Sequence, residues 1–582
     1  MTDYYVCINS GQDNNIGSDE NPLKTINKAI QRAKPGDNIL VKSGIYRERI
    51  VPIKSGLKNE PITIKSIEKH GAIVRGSHPW KYESIENGIM VGLIDESIFN
   101  DKSHFDGKNP FKIPLCVTPY GREGFPETKI KSVKNSDASM VYVLGQVFVD
   151  DEMYLQCPYK SEMESTKKSW FYDGSENKLY INGANENQNI EITNQRRLLA
   201  PYKRNLKNII VDGFIFERCG NQYPNKFWSR RANQQAGAVG TRCGKFWTIQ
   251  NNIIRFANGI GIDWGNEGGS KQDLELGKNG LAQGSYGHKI TNNIICDNGA
   301  AGTAAFMANK FEFTKNLVER NNNLHFSGKQ RWESAGVKIH KPKNSIIGDN
   351  VVRNNYCHGI WSDQGSGINS LYCRNIIVDN KRSGIEFEIG TNTSGRVVNN
   401  IFDNNEYGVH FATSGGVLIA HNIFIKSKKY DISTVFFKRG DKWDSLNLEV
   451  YYNLFLYSPQ YYQLSPNSSE PKASRSFGNN VYINGKKNQY QVKYNWKKKP
   501  FMGFDKWCDF FDEKSILIKP YDVSLTYDNE AYYLKLHTNE LPKFSANDKM
   551  GMTTDYHNEK WQNECLAGPF ENMIIGENVY NL

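Results

Sequence analysis

The sequence predicts an all-β fold, a right-handed parallel β-helix, and three observations carry that expectation. The first is a recurring pair, Asn followed by an aliphatic residue, at Asn252, Asn293, Asn316, Asn350, Asn375, Asn400, Asn422, Asn453 and Asn480, with steps of 41, 23, 34, 25, 25, 22, 31 and 27 residues. The second is Gly followed by a small or aliphatic residue at Gly237, Gly259, Gly336, Gly359, Gly384 and Gly408, the last four stepping by 23, 25 and 24. The third is the filling between these units, rich in Asn, Asp, Gly and Ser, which initiate tight turns. A period in the twenties with short alternating strands marks a solenoid. A leucine-rich repeat would need a Leu framework that is absent, and a propeller blade needs about 40 residues.

The elements follow in order. Residues 1–77 read as an N-terminal cap and the first coils. Residues 22–33 place Ile26, Ala29, Ile30 and Ala33 on one helical face, with Asn21 as N-cap and Pro22 at the first helical position. A helix there covers the apolar end and unpaired edge of the first coil. Pro35-Gly36-Asp37 then turns the chain into the strand Ile39-Leu40-Val41. The repeat loses its phase over residues 78–197, where hairpin-like stretches at 140–149 and 170–181 read as an inserted β-sandwich. Residues 198–483 are the main β-helix, and residues 484–582 a β-rich C-terminal extension.

Composition narrows the function classes. The 582 residues carry 73 Lys and Arg against 62 Asp and Glu, a net charge of +11. A lysine-rich surface serves solubility, and an anionic partner is the sharper reading. Nucleic acid is not implied: the basic residues are scattered apart from Lys497-Lys498-Lys499, and no nucleic-acid motif occurs. No apolar run approaches the roughly 20 residues of a membrane helix. No leader is visible at the start, which points to the cytosol, or to the periplasm or exterior if a leader was removed. The ten Cys form no C-x-x-C pair and read as free, buried apolar residues.

Register turns the repeat into a site. In the four clear units, Val337, Ile360, Ile385 and Val409 follow the Gly, and Ile339, Ser362, Phe387 and Phe411 lie two further on; these should point into the coil. The alternate residues should face outward: Lys338, Trp361, Glu386 and His410, then His340, Asp363, Glu388 and Ala412. Equivalent residues on successive coils are about 4.8 Å apart, so His340, Asp363 and Glu388 form a column beside Trp361 and Glu386. Asp263, four residues after Gly259, extends it.

Two carboxylates about 5 Å apart suit a retaining glycosidase, one attacking the anomeric carbon and the other exchanging a proton with the leaving oxygen and then with water. Trp361 offers a flat face to a sugar ring. The longer repeat steps insert loops near the column, one carrying Lys329, Arg331, Trp332 and Glu333 and one spanning 263–287. Residues 263–267 offer carboxylates and carbonyls of the kind Ca²⁺ takes, at a spacing that is not diagnostic; no other cofactor is implied. The inserted module suits either self-association into a homo-oligomer or a contribution to a subsite.

At these residues the sequence resembles glycoside hydrolase family 120, the β-xylosidase family. The matching strings are LGQVFV at 144–149, WSRRANQQAGAVGT at 228–241, ESAGVKIH at 333–340, GIWSD at 359–363 and FEIG at 387–390. The resemblance implies a β-helix of the pectate-lyase-like type interrupted by an immunoglobulin-like sandwich. It also implies Asp363 as nucleophile, Glu388 as acid/base and Glu333 as a third site carboxylate. Register alone does not assign these roles, and Glu386 is the rival for the second. The chain departs from the family pattern at Ser362, Gln364, residues 390–392 and Arg230-Arg231, which leaves the sugar open. Arg230, Arg231, Arg242, Lys329, Arg331 and Lys338 fit a carboxylated or sulfated sugar. The competing functions are a polysaccharide lyase, with Lys338 or His340 as base, and a non-catalytic glycan-binding β-helix.

Overall fold

A computed structural model describes residues 1–100, 108–113, 142–221, 236–266, 284–325, 334–364, 367–390, 394–435, 447–464, 475–483, 490–494, 497–498, 503–511, 514–518, 522–528, 531–545 and 553–582. The chain divides into two compact units, Met1–Phe306 with Arg320–Ser334, and Met307–Glu319 with Ala335–Leu582. Both are built on the expected all-β parallel β-helix.

In the first unit three parallel sheets run side by side. One contains Asp3–Val6, Asn38–Val41, Ile62–Ser66, Ile209–Asp212, Thr248–Gln250 and Lys289–Thr291; a second contains Gly44–Tyr46, Ala72–Arg75, Ile215–Cys219, Ile253–Ala257 and Ile294–Cys296; the third contains Gly237–Gly240, Ile260–Asp263 and Ala301–Phe306. The cap helix is shorter than the sequence predicts. It spans Ile26–Arg32 and buries Ile26, Ala29 and Ile30, but its N-cap is Thr25, whose hydroxyl accepts from Lys28 N. Asn21 and Pro22 are not its start because Leu23 is already committed to the sheet, donating to Tyr5 O and accepting from Cys7 N. Glu48 then receives the free N–H groups of Ile26 and Asn27 at 2.8 and 3.1 Å, placing a negative charge at the positive end of the helix.

The insertion interrupts this unit between Ala72–Arg75 and Ile209–Asp212. Its strands run in the order Ser77–Pro79, Ile190–Thr193, Val147–Val149, Glu152–Gln156, Ser169–Asp173, Lys178–Asn182, Ile89–Leu93, Ser84–Glu86. These strands form two antiparallel four-stranded halves, the first four and the last four in that order. A short parallel pairing, Leu155 with Ser169 and Gln156 with Trp170, joins the two halves into one eight-stranded sheet. Trp80, Met90, Phe99, Phe111, Trp170, Leu179 and Ile181 fill its core. Charge ties it to the coils. Glu191 of the insertion pairs with Arg47, Arg75 and Arg218, and Glu217 of the coil pairs with Arg75 and Arg255. Arg218, Glu191 and Glu217 are buried, so removing one member would strand the charge of another.

The second unit repeats the three-sheet cross-section with more coils. Its interior is stacked ring on ring: Phe402, Phe424, Phe455 and Tyr482 follow one another at 4.7, 5.0 and 5.0 Å between centroids. Asn316, Asn350, Asn375, Asn400, Asn422, Asn453 and Asn480 form a continuous ladder, each side-chain oxygen from Asn350 onward accepting from the backbone N–H and the amide of the Asn one coil before. A second ladder, Asn355–Asn380–Asn405, lies one strand further on, and the sequence reading overlooked it. The residue before each rung is left-handed: Asp349, Arg374, Asn399, His421, Tyr452 and Asn479 have φ between 51° and 57°. The rung supplies the hydrogen bonds that a corner this sharp takes from the backbone ladder.

The last coils carry an element the sequence did not show. A helix, Phe504–Phe511, covers them with Trp507 stacked on Tyr462 at 4.5 Å. Beyond it, the antiparallel strands Asp522–Asp528, Ala531–Thr538 and Gly576–Asn581 pack Leu534, Leu536 and Tyr580 against Ile401, Ile423 and Leu454 of the coils. All nine Cys in the described residues are free, and eight are buried. Burial pushes the Cys219 thiol up to about 12 and those of Cys373 and Cys565 to about 11.

Candidate active site

Three neighbouring strands of the second unit, Ala335–His340, His358–Asp363 and Ser383–Gly390, build the site. Their pairing places His340 opposite Asp363 and Asp363 opposite Glu388, with Lys338 opposite Trp361 and Trp361 opposite Glu386. The two predicted columns therefore exist. Val337, Ile360, Ile385, Ile339, Ser362 and Phe387 are buried inside, and Phe387 stacks on Phe411 at 5.3 Å, so the alternate residues are fixed on the outer face. The residue directly after the column is left-handed on each of the three strands and on the next, Tyr407–Ser414: Lys341, Gln364, Ile389 and Thr413 have φ of 51°, 56°, 51° and 55°. The strands end at once behind His340 and Asp363, while behind Glu388 and Ala412 they continue to the pair Gly390 and Ser414.

A solvated polar face would leave these side chains exposed. Instead Lys338 and His340 are 0% exposed and Asp363 1%. Oδ2 of Asp363 takes the Lys338 ammonium and His340 Nε2, each at 3.1 Å. Burial alone would raise this carboxyl, but Lys338 and His340 outweigh it and hold it well below the usual carboxylate range. The Lys338 ammonium also lies 3.1 Å from the centroid of the Trp361 ring.

Glu386 is the opposite case. Burial, reinforced by the nearby charge of Glu388 and only partly offset by Ser383, Arg382 and Lys338, pushes its carboxyl up to about 8. Ser383 Oγ donates to its Oε2 at 2.8 Å. His358 Nδ1 lies 3.6 Å from Oε2 and His410 Nε2 4.0 Å from Oε1. Burial holds His358 well below its usual value and His410 down at about 3, so neither imidazole brings a positive charge to Glu386. Two acids on adjacent coils thus have opposite protonation at neutral pH, the arrangement that separates a nucleophile from a proton donor. Several buried polar atoms here lack a hydrogen-bond partner among the described residues: Asp363 Oδ1, Trp361 Nε1 and His410 Nδ1.

Other expected residues fall elsewhere. Glu333, Trp332, Arg331, Lys329, Arg230 and Arg231 lie outside the described residues. Asp263 belongs to the first unit, where its carboxylate takes Arg197 at 3.1 Å and the Gly237 N–H at 2.7 Å. Glu267 of the 263–267 stretch lies outside the described residues, and among the described residues no three His, Cys, Asp or Glu side chains gather to hold a metal. Arg242 donates to the carbonyls of Pro201 and Tyr202. The sequence reading did not single out His358, Ser383 or Arg382. His410 stood in the outer column but went unremarked. The signal available for His358 and Ser383 was their place just before the repeat glycines Gly359 and Gly384.

A model of the family described as "Right handed beta helix region" matches residues 236–424, and one described as "Protein of unknown function (DUF1565)" matches residues 9–53. "Uncharacterized protein YwoF" of Bacillus subtilis (strain 168) is 30% identical over 74 residues, which are 13% of this chain and 16% of that protein, so the chain matches only a small part of that relative. Among solved structures, one described as "Glycoside hydrolase" aligns at 11% identity with a TM-score of 0.44, over 72% of this chain and 96% of that one. The complex structure of XylC with xylose aligns at a TM-score of 0.75 over 100% of both chains, with 19% identity. Over its whole length, then, this chain shares the fold of XylC.

Proposed function

We propose that this chain is a retaining glycoside hydrolase. It would be exo-acting and β-xylosidase-like, in the manner of family 120, on oligosaccharides from plant or algal polysaccharides. The opposite protonation of Asp363 and Glu386, one coil apart on a rigid sheet, carries this reading, and the fold shared with XylC, whose structure holds xylose, supports it.

Asp363, held ionised, attacks the anomeric carbon as the bond to the leaving oxygen breaks. A carboxylic acid passes its proton to that oxygen. The resulting carboxylate then takes a proton from water, which attacks the anomeric carbon and releases Asp363 as carboxylate. The resemblance gives the acid's role to Glu388, which faces Asp363 in register. Burial favours Glu386 instead, because it carries the proton at neutral pH, and we assign it the donor's role. Glu388 then contributes the charge that keeps Glu386 protonated. A lyase needs a free base, and both candidates, Lys338 and His340, are bonded to Asp363.

The test compares wild type, Asp363→Asn, Glu386→Gln and Glu388→Gln on neutral and acidic oligosaccharides and on aryl β-xylosides, with product analysis. New reducing ends lost in Asp363→Asn are expected. Ultraviolet-absorbing unsaturated products would mean a lyase, and binding without turnover a glycan-binding protein. The true donor variant keeps activity on aryl glycosides with good leaving groups and forms a glycosyl azide with added azide; that behaviour in Glu388→Gln rather than Glu386→Gln would return the role to Glu388. Arg230→Ala, Arg231→Ala and Arg331→Ala together should weaken acidic substrates selectively, and equal loss on neutral ones would leave a neutral sugar as the substrate.

A further inference from the structure

We propose that Lys338 is a positioning residue that decides which oxygen of Asp363 reacts: with His340 it occupies Oδ2, leaving Oδ1 as the attacking atom, and through its stacking on Trp361 it ties the sugar platform to the nucleophile. This rests on the hydrolase reading above.

The two oxygens of Asp363 are not equivalent. Oδ2 receives two donors at 3.1 Å, while Oδ1 is buried and has no hydrogen-bond partner among the described residues. An oxygen that is doubly hydrogen-bonded has its lone pairs engaged, whereas an unbonded one keeps them for attack. When Oδ1 bonds to the anomeric carbon, Oδ2 becomes the ester carbonyl and both donors stay on it. When water later displaces the sugar, the electron pair of the breaking C–O bond returns to a carboxylate whose charge Lys338 and His340 already stabilise. Lys338 therefore assists the departure of Asp363 in the second step as much as its ionisation in the first.

The second contact gives the arrangement its specificity. The ammonium is 3.1 Å from both the carboxylate oxygen and the Trp361 ring centroid, and it is wholly buried. A cation held between a carboxylate and an aromatic face fixes their mutual position. A sugar resting on Trp361 is thereby set relative to Asp363. Among the described residues, the charged and titratable groups facing Asp363 are Lys338 and His340 from the preceding strand and Glu388 and Glu386 from the following one; His358 lies on its own strand.

The experiment uses Lys338→Met, Lys338→Arg and His340→Gln with an aryl β-glycoside that wild type hydrolyses. In Lys338→Met the acidic limb of kcat/KM against pH should rise by about one unit or more, because Asp363 loses its nearest positive charge. Slowed release of the sugar should appear as a burst of aglycone, and Lys338→Arg should restore part of both. A uniform fall in rate with an unmoved acidic limb and no burst would overturn the proposal, since a merely structural lysine would do that. Infrared titration of the Asp363 carboxyl, taken as the difference from Asp363→Asn, reads the same clamp without turnover. An unchanged midpoint in folded Lys338→Met and His340→Gln would equally overturn it. If wild type cleaves no glycoside, the hydrolase reading fails, while the infrared titration still decides whether Lys338 and His340 set the charge of Asp363.

Discussion

Glu386 carries its proton at neutral pH because it is buried next to another acid, and that shapes the expected pH profile. As pH rises through about 8, Glu386 ionises and can no longer protonate a leaving group, so kcat/KM should fall on an alkaline limb near that value. The charge of Glu388 raises Glu386, so Glu388→Gln should move the limb downward. The Ser383 hydrogen bond favours the ionised form, so Ser383→Ala should move it upward. Rate profiles of the two variants check both signs, and a limb that ignores both would mean that Glu386 is not the titrating acid. Asp363→Asn should lower kcat by at least about a thousandfold with its fold intact. The carboxylates were legible in the sequence because period-two alternation and the Gly-to-Gly spacing place them without any knowledge of packing. Their opposite protonation was not legible. It depends on burial, and alternation says only which way a side chain points, not that this outer face is covered.

At the scale of elements, the Asn ladder is where the repeat becomes stability. Asn400 Nδ2 donates to Tyr372 O, Val398 O and Asn422 Oδ1, and its Oδ1 accepts twice from Asn375. Asn400→Ala leaves several buried peptide and amide groups without partners and should cost about 2–4 kcal/mol, read from urea unfolding. Asp431 occupies a buried position with Ser458 donating to it at 2.6 Å, and burial pushes it up to about 7. Its value in the folded state lies above that of an unfolded Asp, so its contribution is fully present below about pH 4 and is lost as pH rises through about 7. The Tm of wild type should therefore drop more between about pH 5 and pH 8 than that of Asp431→Asn. The sequence showed the first ladder, because an Asn–aliphatic pair is a fixed local string. It hid the second, where the residues after Asn355, Asn380 and Asn405 are Tyr356, Lys381 and Glu406. The cap helix was misplaced at its start for a related reason: Pro22 fits a helix locally, but the bridge made by Leu23 outweighs that propensity.

On the scale of the whole molecule, the period was enough to name the architecture, because a parallel solenoid writes each coil into the chain as a nearly constant number of residues. The irregular parts were not readable in the same way. The insertion showed in the sequence as lost phase and hairpin-like stretches, whereas the two-residue parallel contact that joins its halves is encoded by no alternation pattern. The closing helix Phe504–Phe511 lies where the repeat has already faded. Trp507 fills the end of the second unit's coil stack against Tyr462, Phe477 and Phe511. Trp507→Ala should destabilise that unit by about 3–5 kcal/mol, seen as an early unfolding step in calorimetry, through exposure of the last coil.

The buried thiols make the molecule its own stopwatch. A thiol reacts only as thiolate and only in water, so Cys157, Cys219, Cys243, Cys296, Cys357, Cys373 and Cys565 are silent until their own neighbourhood opens. They are strung from the insertion to the last hairpin, with several on successive coils. The order in which a small alkylating reagent marks them in mild denaturant is therefore a readout of which coils breathe first, from a protein that needs no added label.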